Sequence, residues 1–266
     1  MRNMVEIRIP ILMYHSISVN CTAKFVPFAI PPSEFALQML HLRENGYQSL
    51  TVSELIRVYN GRSPSPVKPV VLTFDDGFRD FSTSALPILR RHKLAATLYV
   101  VSGFVGATSK WLTRIGEGSR PLATWSEIRS IQAAGIEIGA HSVTHRALDV
   151  LSPTEARNEI ANSKSVIEQE LGSPVRSFAY PFGHQNSRTR QLVREAGFSS
   201  ACAVKYAMST SEDDPFALAR QIVRPGTDVS RFEAILSGAP PLLSLGLDRA
   251  RSATWATLRQ LRSFRG

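Results

Sequence analysis

The chain has 266 residues, 43% of them hydrophobic and 20% charged; this is the balance of a globular protein with a full core, one large α/β domain or two small ones, and it excludes disordered and fibrous classes. A formal charge of +9, from 31 Lys and Arg against 22 Asp and Glu, points to an anionic partner such as a phospholipid surface, a lipid pyrophosphate or an acidic polymer, while the absence of a zinc finger, an RNA-recognition signature or a long basic run argues against nucleic acid. The two cysteines, Cys21 and Cys202, cannot build a disulfide framework, and Cys202 sits in an apolar run that reads as core.

Taken in chain order, Met1–Glu6 carries no apolar stretch of signal-peptide length, and no run of 18 apolar residues occurs. Neither a leader nor a spanning helix is therefore expected, and the sequence as written reads as cytoplasmic. Ile9–Tyr14 reads as a first strand. Ser33 is the expected cap of an amphipathic helix carrying Phe35, Leu37, Leu40 and Leu42 and stopping near Gly46. Capping boxes stand at Thr51/Glu54, Thr124/Glu127 and Ser152/Glu155, the last with Pro153 at the favoured first helical position. Short apolar strands are expected over residues 69–74, 95–101, 136–140, 176–180 and 199–204. Strands spaced by helical patterns of 10–15 residues imply βαβ units and a parallel sheet. At least six units over residues 8–236, with no Gly-x-Gly-x-x-Gly after an early strand, favour a (β/α) barrel, complete or incomplete, over a doubly wound sheet. Residues 105–123 form an insertion long enough to line a cleft. A domain over residues 1–238 is followed by a linker at 239–245 and a basic amphipathic helix. In that helix Leu247, Trp255, Leu258, Leu261 and Phe264 recur at near-helical spacing among Arg249, Arg251, Arg259, Arg262 and Arg265. It is a candidate peripheral membrane contact over residues 247–266, against the alternative of packing on the barrel.

Two segments carry chemistry. Thr73-Phe74-Asp75-Asp76-Gly77 follows the apolar Val70-Val71-Leu72, and His141-Ser142-Val143-Thr144-His145 follows Ile136–Ala140. Adjacent carboxylates after a strand point in different directions, so one can hold a cation while the other faces a water or a substrate. Asp-Asp-Gly is also good turn chemistry. Two histidines four residues apart can converge on one ion, and with Asp76 they form a two-His, one-carboxylate set that leaves positions open for water and substrate.

These two segments, with Trp125-Ser126-Glu127-Ile128 and Ala134–Gly139, resemble the first motifs of the polysaccharide deacetylase family, the NodB-homology carbohydrate esterases of family 4, over roughly residues 8–236. The resemblance implies a distorted (β/α)7 barrel and a metal-dependent hydrolase that releases acetate from N-acetylated or O-acetylated sugars; the cytoplasmic reading with the basic tail points to those of a polysaccharide or lipid-linked oligosaccharide at the inner membrane face. It implies Asp75 as catalytic base, and Asp76, His141 and His145 as ligands to a divalent metal, zinc first and cobalt or nickel as alternatives. Phe178–Gly183 resembles the third family motif, making Tyr180, Pro181, Phe182 and Gly183 groove residues, with the Phe182 N–H set to help bind an oxyanion. The sequence departs at Ala179, where many members carry an Arg that pairs with the base; Arg220 is the candidate for that orienting role at the groove. No His follows His184, so the usual C-terminal acid is missing. Pro10–Ile17 instead resembles the opening of the poly-N-acetylglucosamine deacetylase branch, which makes His15 the proton donor to the leaving amine. Phe104 and Trp111 are open between sugar stacking and core packing. The alternatives are a C–N hydrolase of small amides on the same fold and a catalytically weak glycan-binding protein.

Overall fold

The computed structural model describes residues 6–238; the linker and basic helix expected over residues 239–266 lie outside the described residues. Seven strands follow one another in a single parallel sheet. Its order is Ser200–Cys202, Ser177–Ala179, Glu137–Ala140, Thr97–Val100, Pro69–Phe74, Ile11–Tyr14 and Gln221–Ile222, and Gln48–Leu50 pairs with the start of Pro69–Phe74. The sheet curls into a half-barrel. The edge strand Ser200–Cys202 also makes one isolated parallel bridge, Cys202 to Leu218, with the chain just before it reaches Gln221–Ile222. Strands buried on both faces read as continuous apolar runs, and Pro69–Phe74 is buried from its second residue onward.

Short helices return the chain outside the sheet. The three expected capping boxes are present, at Thr51, Thr124 and Ser152, and a fourth, Asn186 with Thr189, was not foreseen. The first helix differs from expectation. It spans Pro32–Glu44 with Pro31 at the cap position and no side-chain cap bond; Pro32, fixed in φ, starts the helix in place of Ser33. Its buried face is Phe35, Gln38, Met39 and Leu42, whereas Leu37 is 64% exposed. Among the described residues no helix is long and apolar enough to cross a membrane.

One close contact sets the strand spacing beneath the site. A Cβ on Gly139 would lie 2.4 Å from the Tyr99 ring and 2.8 Å from Ser177 Oγ, so only glycine lets the neighbouring strands' side chains pass there. The insertion at 105–123 folds back through bridges Phe78–Leu122 and Thr108–Pro121. It builds a satellite cluster of Phe25, Ala29, Phe78 and Leu122, with Phe28, Trp111, Leu112 and Ile115 packed against it, on the side where the strands end.

Candidate active site

The site lies at the C-terminal ends of the strands, where barrel enzymes place their chemistry. Asp75 N–H still bonds Tyr14 O at 3.0 Å and His141 N–H still bonds Val100 O at 2.9 Å, so the sheet positions the first carboxylate of one motif and the first histidine of the other. Beyond them the backbone turns sharply. Among the described residues six non-glycine positions have positive φ. Asp76 (75°), His145 (59°), Phe182 (61°) and Tyr206 (50°) line one cleft, and Ser142 (63°) sits in the His141–His145 loop. Left-handed backbone costs a non-glycine residue roughly 1–2 kcal/mol, and such strain persists where the surrounding structure holds it, typically at functional sites.

At the cleft floor Asp76 Oδ1 lies 3.1 Å from His145 Nε2 and 3.6 Å from His141 Nε2. All three residues are buried, and their candidate ligand atoms lie within 4.8 Å of one another. The His141 Nδ1 hydrogen bonds Ala179 O at 2.7 Å, which turns Nε2 towards Asp76. Burial pushes His141 down to about 4, so its imidazole is neutral at physiological pH and free to ligate. Burial pushes Asp76 up, but His145 and the other nearby imidazoles outweigh it and hold the carboxyl at about 2. Asp76 Oδ1 and His145 Nδ1 are buried without a hydrogen-bond partner. A carboxylate oxygen and two ring nitrogens converging in a buried pocket fit a divalent ion with open coordination positions.

Asp75 faces the other way and meets Arg220. The guanidinium donates from Nη1 to Oδ1 at 2.7 Å and from Nη2 to Oδ2 at 2.8 Å, a bidentate pair. Arg220 is fully buried and is held in turn by Ala203 O and Thr73 Oγ1. Burial pushes Asp75 up, but Arg220 beside it, with His141 and His15, outweighs burial and holds the carboxyl below its ordinary value. Asp75 is therefore an anion at neutral pH, able to accept a proton. Ala179, at the position of the expected arginine, packs in an apolar cluster with Tyr99, Cys202 and Leu218.

The cleft above this floor has a volume of about 500 Å³, within the range of small-molecule sites. His15 lines it with its ring edge-on to Phe28 at 5.0 Å, and burial lowers its pKa. Trp111 stacks on His145 at 4.9 Å and 20°, and Phe182, 54% exposed, meets the same imidazole edge-on at 4.7 Å. Gly183 also lines the cleft, at φ +72° and with Val204 2.4 Å from where a Cβ would sit.

Three expectations are corrected. Tyr180 is fully buried, its hydroxyl donating to Phe216 O at 3.0 Å. Pro181 is buried and does not line the cleft. Arg220 makes the pairing with Asp75 expected of the orienting arginine, and because its guanidinium is committed there it makes no wall of the cleft, so only its place among the substrate-binding residues is corrected. Phe25, Leu112, Ile115, His184, Tyr206 and Arg224 line the cleft without having been singled out as binding residues.

Glu159, on the helix Pro153–Leu171, was also missed. Its buried carboxylate accepts N–H bonds from Val143 at 3.0 Å and Thr144 at 2.8 Å, and the Thr144 hydroxyl donates to it as well. It holds the loop carrying both histidines. Loss of outer-shell partners commonly costs 10–100-fold in metal affinity, so Glu159→Ala is expected to weaken zinc binding by about that factor. Titration of the apo protein with zinc measures it.

The family model described as polysaccharide deacetylase matches residues 62–201, more than half of the chain, and that stretch contains Asp75, Asp76, His141 and His145. The chain belongs to the polysaccharide deacetylase family. It is 28% identical over 230 residues to Bacillus subtilis (strain 168) YxkH, named for polysaccharide deacetylase, covering 86% of this chain and 76% of that protein. It is 32% identical over 109 residues to the poly-β-1,6-N-acetyl-D-glucosamine N-deacetylase of Escherichia coli (strain K12), a match spanning 40% of this chain and 16% of that protein's length. The Streptococcus pyogenes deacetylase PplD, solved with acetate, superposes with a TM-score of 0.76 at 26% identity, covering 89% of this chain and all of that one. The chain is thus a deacetylase by family, and its curled parallel sheet is the family's fold.

Proposed function

We propose that this deacetylase is metal-dependent and removes acetyl groups from N-acetylglucosamine units of a glycan. The observation that carries the reading is the division of labour between adjacent carboxylates: Asp75 clamped as an anion by Arg220, and Asp76 turned away to face His141 and His145. Asp76, His141 and His145 would hold the ion, zinc before cobalt or nickel; when bound, it supplies Lewis-acid polarisation of the acetyl carbonyl and of water. Asp75 accepts the proton of the attacking water. His15, at the end of the first strand and facing the cleft, donates a proton to the departing amine, so that amide and water become acetate and amine. The Phe182 N–H is offered to the oxygen on which charge develops. Trp111 and Phe182 flank His145 and present aromatic faces to a sugar ring. The E. coli relative is named for poly-β-1,6-N-acetyl-D-glucosamine, and the S. pyogenes neighbour binds acetate, the product of this reaction.

The test is acetate release from N-acetylglucosamine oligomers by purified protein, before and after chelation, with zinc or cobalt restored. Release that disappears with chelator and returns with metal supports the reading. The cleft of about 500 Å³ walled by Phe25, Phe28, Leu112 and Ile115 favours a second reading, hydrolysis of small amides. Bound metal without acetate release from oligomers, together with turnover of small N-acetyl amides, would establish that one instead.

A further inference from the structure

A second buried charge network lies beside the cleft, and the mechanism above does not use it. Asp80 stands four residues after Asp76. It accepts a hydrogen bond from Ser16 Oγ at 2.6 Å and from the Ile17 N–H at 3.1 Å, the two residues that follow His15. Arg120, its side chain 8% exposed, comes from the far end of the insertion. Its Nη1 donates to Ser16 Oγ at 3.1 Å and to Asp80 Oδ2 at 3.3 Å, its Nη2 to Asn20 O at 2.6 Å, and its Nε to Glu117 Oε2 at 2.9 Å. Glu117 in turn accepts from the Thr22 N–H. The guanidinium plane lies over Phe25, 4.7 Å from the ring centroid, and Phe25 lines the cleft.

Each of the three guanidinium nitrogens of Arg120 therefore donates, and together they reach three segments: the chain after His15, the motif loop carrying Asp75 and Asp76, and the insertion that walls the cleft. A lysine cannot make this pattern, because it offers one point charge where the fork spans several acceptors. After desolvation a buried ion network adds little net stability compared with apolar packing, whereas here it ties three chain segments to one guanidinium.

We propose that Arg120, acting through Asp80 and Ser16, is a positioning residue that fixes His15 in the cleft relative to Asp75. The proposal rests on the reading of His15 as proton donor to the amine. It predicts a loss confined to substrates whose leaving group needs a proton. N-acetylglucosamine oligomers release an amine and need one, whereas 4-nitrophenyl acetate releases a stable phenolate and does not.

The experiment compares Arg120→Lys and Asp80→Asn with the zinc-loaded wild type on both substrates, with the Asp75→Asn rate subtracted as background. Acid–base assistance is worth about 10²–10⁴-fold, and a misplaced donor forfeits part of it. Both variants are expected to lose about 10–100-fold in kcat on oligomers while keeping zinc stoichiometry and ester hydrolysis within about twofold. Combining Arg120→Lys with His15→Ala should slow the oligomer reaction no further than His15→Ala alone, because residues acting as one unit are non-additive. Equal losses on ester and oligomer, or additive losses in the combined variant, would overturn the proposal and leave Arg120 a structural residue only. A wild type that binds zinc but releases acetate from neither substrate would instead overturn the deacetylation reading on which the proposal rests.

Discussion

Asp75→Asn is expected to bind zinc as the wild type does and to lose acetate release by about 10²–10⁴-fold, the contribution of a positioned general base. The ligand set, Asp76 with His141 and His145, is untouched by the change, so calorimetric zinc titration should return the same stoichiometry. The amide is close in shape to the carboxylate, but it cannot accept a proton at neutral pH. It also offers Arg220 one acceptor where the guanidinium now has two, at 2.7 and 2.8 Å, and presents an NH2 to a donor. Some stability is therefore lost as well, and thermal unfolding of the variant separates that loss from the chemical one. Near-full activity in a folded, zinc-loaded Asp75→Asn would remove Asp75 from the role of base.

The second large effect is on Arg220→Met, which keeps the stem of the side chain and deletes its charge. Asp75 would be left as a buried carboxylate with no counter-charge of its own, and removing one partner of a buried pair costs about 3–5 kcal/mol. The pH dependence follows from the direction of the shift. In the wild type Asp75 is held below its ordinary value: burial raises it, and Arg220 with His141 and His15 outweighs burial. Its pairing therefore stabilises the fold above the unfolded carboxylate pKa, about 3.9, and that stabilisation is lost as pH falls through the lower folded value. In the variant burial acts with Arg220 gone, the folded pKa rises, and the penalty applies at neutral pH but fades on acidification as Asp75 takes up a proton. Urea unfolding of the apo proteins at pH 7 and at pH 4 should show a stability gap that narrows at the lower pH. Replacing both members, as Asp75→Leu with Arg220→Met, should recover much of the stability and none of the activity, because an apolar pair carries no unpaired charge. An Arg220→Met protein as stable and as active as the wild type would contradict the role assigned to this clamp.

Much of this molecule was legible in the sequence wherever the deciding interaction is local. The capping boxes at Thr51, Thr124 and Ser152 each join residues three apart, and all three appear as read. Asp75-Asp76 and His141/His145 each fall directly after an apolar run, and a run followed by polar residues is what a buried strand ending in a loop looks like. Strands alternating with helices were sufficient to indicate a curled parallel sheet, because parallel neighbours need a crossover between them.

What the sequence left open depends on contacts between distant residues and on which face of a strand looks inward. Arg220 reaches Asp75 across 145 positions, a pairing that only the family resemblance suggested, and Arg120 reaches Ser16 across 104. No spacing rule marks either pair, since only the curling of the sheet and the folding back of the insertion bring them together. Tyr180 and Phe182 stand two apart in one motif, yet one is fully buried and the other 54% exposed. Both lie beyond the strand Ser177–Ala179, where no period tells inside from outside, and the positive φ of Phe182 turns the chain after Tyr180 in a way no residue type announces. The order of the elements and the placing of the cleft-floor residues at strand ends were readable along the chain, from hydrophobic period and local hydrogen bonding. Which charge neutralises which was settled in three dimensions, because a buried charge selects its partner by proximity in a low-dielectric interior, and proximity between remote segments comes into being with the fold.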